Sequence, residues 1–72
     1  MNRAAIYAGT FDPITLGHLD LISRAAAIFP RLILAVARTP PKQTLFAPEQ
    51  RVAIAAEAVR ALSNVEVELF DG

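Results

Sequence analysis

Apolar positions along the chain follow two different periods, and the switches between them mark out the elements. Ala4 to Ala8 is a short apolar run, which predicts a buried parallel strand. From Gly17 to Phe29, the residues Leu19, Ile22, Ala26 and Phe29 fall at i, i+3, i+7 and i+10, one face of a helix. Pro30 stops that helix, because proline cannot continue the hydrogen-bond ladder. Leu32 to Ala37 is nearly continuous in apolar character, which predicts a central strand covered on both faces. Arg38 to Ala47 reads as a loop containing Pro40 and Pro41. Pro48 suits the first turn of a second helix, with Glu49 at the positive end of its dipole. Val52, Ala55 or Ala56, Val59 and Leu62 continue a helical face, and Ser63-Asn64 closes it. Ala47 is a poor N-cap, so fraying is expected there. Val65 to Leu69 alternates, as an edge strand with one solvated face would.

The predicted order is β-α-β-α-β. That order implies an α/β fold, one half of a Rossmann-like, doubly wound parallel sheet with right-handed crossovers. In such sheets ligands sit beyond the carboxyl ends of the strands. The loop through Thr10 and the loop through Lys42 both leave strands at that edge, so two segments far apart in sequence converge.

Composition narrows the class of partner. With 72 residues the chain makes one domain at most, and a chain of this size buries only about 60% of its unfolded surface. A hydrophobic fraction of 54% argues against a disordered tail. Seven basic and seven acidic residues cancel, leaving no general pull toward nucleic acid or a membrane surface. The absence of cysteine removes disulfide and thiolate chemistry and fits a cytoplasmic protein. No apolar run approaches the ~20 residues that cross a bilayer.

The densest chemistry lies between Gly9 and His18. A strand, a Gly/Asp-Pro loop and a helix start place free backbone N–H groups and a helix dipole at one point, which favours an anion. Gly9 is either a site of close backbone approach to a nucleotide or an ordinary turn glycine. Thr10 can hydrogen-bond a phosphate or its own turn. Asp12-Pro13 is structural, with the aspartate fixing the turn through a local Asx-type bond, and a lone carboxylate makes a weak metal site. His18, the chain's sole histidine, can donate a ring N–H to a phosphoryl oxygen. Lys42, the sole lysine, suits capture of a phosphate as a point charge. Arg38 is a weaker candidate, and Arg51 and Arg60 read as exposed helix charges.

The run Gly9-Thr10-Phe11-Asp12-Pro13-Ile14-Thr15-Leu16-Gly17-His18 resembles the G-T-F-D-P-x-T-x-G-H signature of the phosphopantetheine adenylyltransferases. These belong to the nucleotidyltransferases that carry a His/Thr-x-Gly-His element. The resemblance continues through Asp20-Leu21-Ile22-Ser23-Arg24-Ala25, Phe46, Glu49-Gln50-Arg51 and Asn64-Val65-Glu66-Val67. It implies transfer of the adenylyl group of ATP to 4′-phosphopantetheine, giving dephospho-coenzyme A and pyrophosphate, with Mg²⁺ required. By position it implies that His18 stabilises the transition state and contacts ATP. It also implies that Thr10 and Phe11 contact the nucleotide, and that Thr10 and Lys42 hold the acceptor. His18 and Lys42 would be the catalytic pair, with no protein metal ligand. A hexamer is implied for the full enzyme.

Leu16 stands where that family often has asparagine, and Ala8 where it often has proline. The family's domain continues for about as many residues again, with further triphosphate-binding groups. Residues 1–72 are therefore expected to be the N-terminal part of a single nucleotidyltransferase domain, inactive alone and prone to self-association through uncovered surfaces. Two other readings are a different adenylyl- or cytidylyltransferase, such as a nicotinamide-mononucleotide adenylyltransferase, and a non-catalytic flavodoxin-like or receiver-type module. The first usually has His where Thr15 stands, and a receiver wants an acidic cluster that a lone Asp12 does not provide.

Overall fold

The structure, a computed structural model, describes residues 4–38 and 44–71. Five elements follow in the expected order: β1 (Ala4–Gly9), α1 (Leu16–Ile28), β2 (Arg31–Ala37), α2 (Pro48–Ala58) and β3 (Val65–Phe70). The three strands form one parallel sheet in the order β1-β2-β3. Ile6 lies opposite Ile33, and Leu34 opposite Val67.

Register decides which side chains reach the core, because successive residues of a strand point to opposite faces. Leu32, Leu34 and Val36 of β2 are buried, while Ile33, Ala35 and Ala37 between them are half-buried. Ile22 of α1 and Val59 at the end of α2 pack with Leu32 and Leu34, so both helices lie on the same face of the sheet. Each fully buried Leu or Ile contributes roughly 1.5–3 kcal/mol relative to exposure. Among the described residues the opposite face has no helical cover, and the expectation that β2 is covered on both faces is corrected. Among the described residues β1 is likewise at an edge of the sheet and not buried, with Ile6 on the open face 69% exposed.

The helix ends differ from the pattern in instructive ways. α1 stops at Ile28, and Phe29 becomes its C-cap, donating its N–H to Ala25 O at 2.9 Å. Phe29 is exposed rather than part of the buried stripe. Asn64 does not close its own helix. Its Nδ2 instead donates to Ala26 O at 2.8 Å and Phe29 O at 2.9 Å, satisfying carbonyls at the end of α1. α2 ends at Ala58, four residues before Leu62. Ala47 makes no side-chain cap bond, as its residue type implies, while Gln50 Oε1 accepts the Ala47 N–H at 3.0 Å, the reciprocal half of a capping box.

Candidate functional site

The carboxyl end of β1 runs from Gly9 into the Thr10–Ile14 turn and then into α1 at Leu16. Phe11 sits there with φ at 51°, the left-handed region that non-glycine residues occupy at a cost of roughly 1–2 kcal/mol. What holds it is burial. Only 3% of Phe11 is exposed, its ring meets Tyr7 edge-on at 5.3 Å between centroids, and it meets His18 at 5.1 Å. A Cβ on Gly9 would come within 3.2 Å of the Phe11 ring. That is tighter than an ordinary contact, so any side chain at Gly9 would push the Phe11 ring by a few tenths of an ångström.

His18 is the third helical residue of α1, and its ring turns back onto the N-cap. Its Nδ1 accepts the Thr15 backbone N–H at 2.9 Å and lies 3.0 Å from Thr15 Oγ1, while Thr15 Oγ1 accepts the His18 N–H at 3.3 Å. This is a capping box in which histidine takes the place of the usual Glu or Gln. A backbone N–H can only donate, so Nδ1 is an acceptor and the ring proton is on Nε2. The ring is thus held on one edge by Thr15 and packed at a steep angle against the Phe11 ring. Its Nε2–H remains as a donor at the positive end of α1.

Two charged side chains tie this turn to the entry of α2. The Asp12 carboxylate accepts the Leu45 N–H at 2.6 Å and the Phe46 N–H at 2.9 Å, across more than thirty residues of sequence. The local Asx-type bond expected of Asp12 is replaced by this long-range clamp. Arg51, read from the sequence as an exposed helix charge, is 1% exposed, and that expectation is overturned. Its Nη1 donates to Thr10 O at 2.9 Å and to Ala37 O at 2.8 Å, and its Nε donates to Phe46 O at 3.1 Å. The signal was present in the sequence: Arg51 precedes Ala55 and Val59 at intervals of four, on the stripe that faces the sheet.

Arg38, the weaker candidate, is occupied by acids. Its Nε donates to Asp71 Oδ1 at 2.8 Å, and Nη1 lies 3.7 Å from Glu49. Arg60 is exposed and 3.5 Å from Glu57, as a helix-surface charge. Lys42 lies outside the described residues. The structure therefore sets Phe11 against His18 in the turn that Thr10 opens, and adds Asp12 and Arg51 as groups that hold their surroundings. Among the described residues, no group of three or more His, Cys, Asp or Glu side chains could hold a metal ion. No described helix is long and apolar enough to cross a membrane.

A family model described as cytidylyltransferase-like matches residues 6–71. The chain belongs to the cytidylyltransferase-like family. Phosphopantetheine adenylyltransferase of Haemophilus influenzae is 59% identical over 64 residues, which cover 89% of this chain and 41% of that protein. Phosphopantetheine adenylyltransferase of Hamiltonella defensa is 54% identical over 72 residues, 100% of this chain and 46% of that protein. This cytidylyltransferase-like chain thus spans less than half the length of these curated relatives. Among solved structures, a NadR protein in complex with NAD and AMP-PNP matches with a TM-score of 0.86 and 24% identity. The match covers 99% of this chain and 21% of that one, and it is a likeness of fold.

Proposed function

We propose that this chain carries the N-terminal part of an adenylyltransferase site that joins the adenylyl group of ATP to 4′-phosphopantetheine. The products would be dephospho-coenzyme A and pyrophosphate, a step of coenzyme A biosynthesis. The observation that carries the reading is the identity of 54% with a phosphopantetheine adenylyltransferase over all 72 residues. The fixed Nε2–H donor of His18 at a helix N-terminus supports it.

The chemistry asks little beyond placement. A phosphate oxygen of the acceptor attacks the α-phosphorus of ATP, the bond from that phosphorus to the bridging oxygen breaks, and pyrophosphate leaves with the electron pair. The nucleophile is already an anion, so no general base is needed. Alignment and neutralisation of charge in the transition state suffice. In this reading His18 donates from Nε2 to a phosphoryl oxygen as charge builds up. The Thr10–Phe11 turn contacts the nucleotide, and Thr10 and Lys42 hold the acceptor phosphate. Mg²⁺ would enter with the triphosphate. Among the described residues the donors do not fit a resident ion, since Asp12 is already committed to two backbone N–H groups. The reading places the enzyme in the cytoplasm, with nucleic acid and membrane excluded as partners and a hexamer as the full assembly.

The test is pyrophosphate release from ATP with 4′-phosphopantetheine, measured on this chain and on the full-length gene product that carries it. Turnover by the longer form alone is the expected result. Silence with this acceptor and activity with nicotinamide mononucleotide would retain the family and overturn the substrate.

A further inference from the structure

Arg51 makes contacts that the proposed transfer chemistry does not account for. Its guanidinium is buried, yet none of the ion pairs among the described residues includes it. Its partners are three carbonyls instead: Thr10 O in the turn after β1, Ala37 O at the end of β2, and Phe46 O before α2. Nη2 is buried and has no partner among the described residues. Burying a guanidinium without a carboxylate carries a desolvation penalty that hydrogen bonds to carbonyls only partly offset. Apolar side chains occupy the neighbouring positions of the same stripe, Ala55 and Val59, at no such cost.

What the guanidinium achieves is geometric. Ala37 and Phe46 are the two feet of the connection between β2 and α2, and Thr10 opens the turn that leads from β1 to His18. Arg's planar fork presents donors in fixed directions, so one rigid group sets the spacing of all three carbonyls. Asp12 reinforces one foot by accepting from Leu45 and Phe46. A lysine could keep the charge but could not span the three acceptors from one plane.

We propose that Arg51 is a positioning residue for adenylyl transfer, fixing the Thr10 turn in register with the end of β2 and the entry to α2. The proposal rests on the reading that the Thr10 turn and His18 hold the nucleotide. Misplacement by about 1 Å can cost ~10²-fold in rate, so the effect belongs in kcat more than in nucleotide affinity.

The experiment compares wild type, Arg51→Lys and Arg51→Met in the full-length gene product, well below each variant's melting temperature. Arg51→Lys is expected to lower kcat at saturating substrates by ~10-fold or more, with KM for ATP changed by less than about threefold. Amide exchange supplies a readout that does not depend on the reaction. In Arg51→Lys the Phe46 amide should exchange at least ~10-fold faster while that of Leu34 stays protected. Arg51→Met should show both effects more strongly, and where it does not fold the lysine variant decides. An Arg51→Lys protein with wild-type kcat, or with wild-type protection at Phe46, overturns the proposal. A wild-type protein that releases no pyrophosphate with 4′-phosphopantetheine counts against the substrate reading instead, and the exchange result still decides the role of Arg51.

Discussion

The Thr15 backbone N–H donates to His18 Nδ1 at 2.9 Å, and that bond turns a helix cap into a constraint on an imidazole. One residue thereby serves two levels of the structure. The ring satisfies an orphan donor at the start of α1, and the same bond leaves the proton on Nε2, directed away from its own helix cap. His18→Ala should separate the two roles. Losing the cap bond should cost about 1 kcal/mol in urea unfolding, whereas transfer in the full-length protein should fall by ~10²–10³. A variant retaining wild-type kcat would remove His18 from the mechanism.

Thr15 can be tested from the other side. Its hydroxyl accepts the His18 N–H at 3.3 Å, so Thr15→Ala should lose about 1 kcal/mol while Thr15→Ser stays near wild type. The backbone bond to Nδ1 survives both changes, and the rate should follow the modest change in ring order. A 10²-fold loss of kcat in Thr15→Ser would mean that the threonine methyl, and not the cap, positions the ring.

Asp12 presents a sharper contrast between shape and charge. Asp12→Asn keeps the shape, but its Nδ2 would face one of the two backbone N–H groups that the carboxylate now receives. A lost charge-assisted bond and an unpaired donor should together cost roughly 2–3 kcal/mol, read as a shift in the urea midpoint at constant slope. Destabilisation below ~0.5 kcal/mol would show that the clamp is not held in solution.

Much of this fold can be read along the chain because the pattern of Ile22, Leu32 to Val36, Val59 and Val65 to Leu69 leaves few alternatives. The elements came out in order, and the edge position of β3 follows from Glu66 and Glu68 alternating with Val65, Val67 and Leu69. A continuous apolar strand indicates what can be buried without specifying that both faces are covered, and among the described residues helices cover only one face of β2. Arg51 shows that position on a helical stripe can outweigh charge, since it is buried in line with Ala55 and Val59. The bonds from Asp12 to Leu45 and Phe46 had no local signal at all, since a turn aspartate looks the same whether its partner is two residues away or thirty-four.

The Arg31–Glu66 pair carries a pH dependence whose sign is fixed. Arg31 lies beside Glu66 across neighbouring strands, with Nη2 to Oε1 at 3.2 Å. The hydrogen bond and charge of Arg31 hold the Glu66 carboxyl below its ordinary value, and Glu66 in turn raises Arg31. A depressed folded-state carboxyl contributes stability above the unfolded value and loses it as pH falls through the folded one. The Arg31 half would be lost only at strongly alkaline pH. Both groups are exposed, so the contribution is small and screened by salt. Glu66→Gln should melt slightly below wild type at neutral pH and low salt, and the two should converge at acidic pH and at high salt. A gap that widens on acidification would reverse the sign and exclude this pair as its source.

Phe11 gives a test in which the usual order of two substitutions inverts. Removing a buried aromatic ring costs ~3–5 kcal/mol on replacement by alanine, and glycine is ordinarily worse because its unfolded chain is freer. At Phe11 the backbone has φ at 51°, where every residue with a Cβ is strained and glycine is not. Phe11→Gly should therefore be more stable than Phe11→Ala by about 1 kcal/mol, although both fall well below wild type. Both variants also remove the ring that meets His18 at 5.1 Å, so the imidazole resonances should broaden or shift alike in the two. If the alanine variant is the more stable, the left-handed turn is not maintained without the ring. Phe11 would then shape the turn itself as well as packing beneath it.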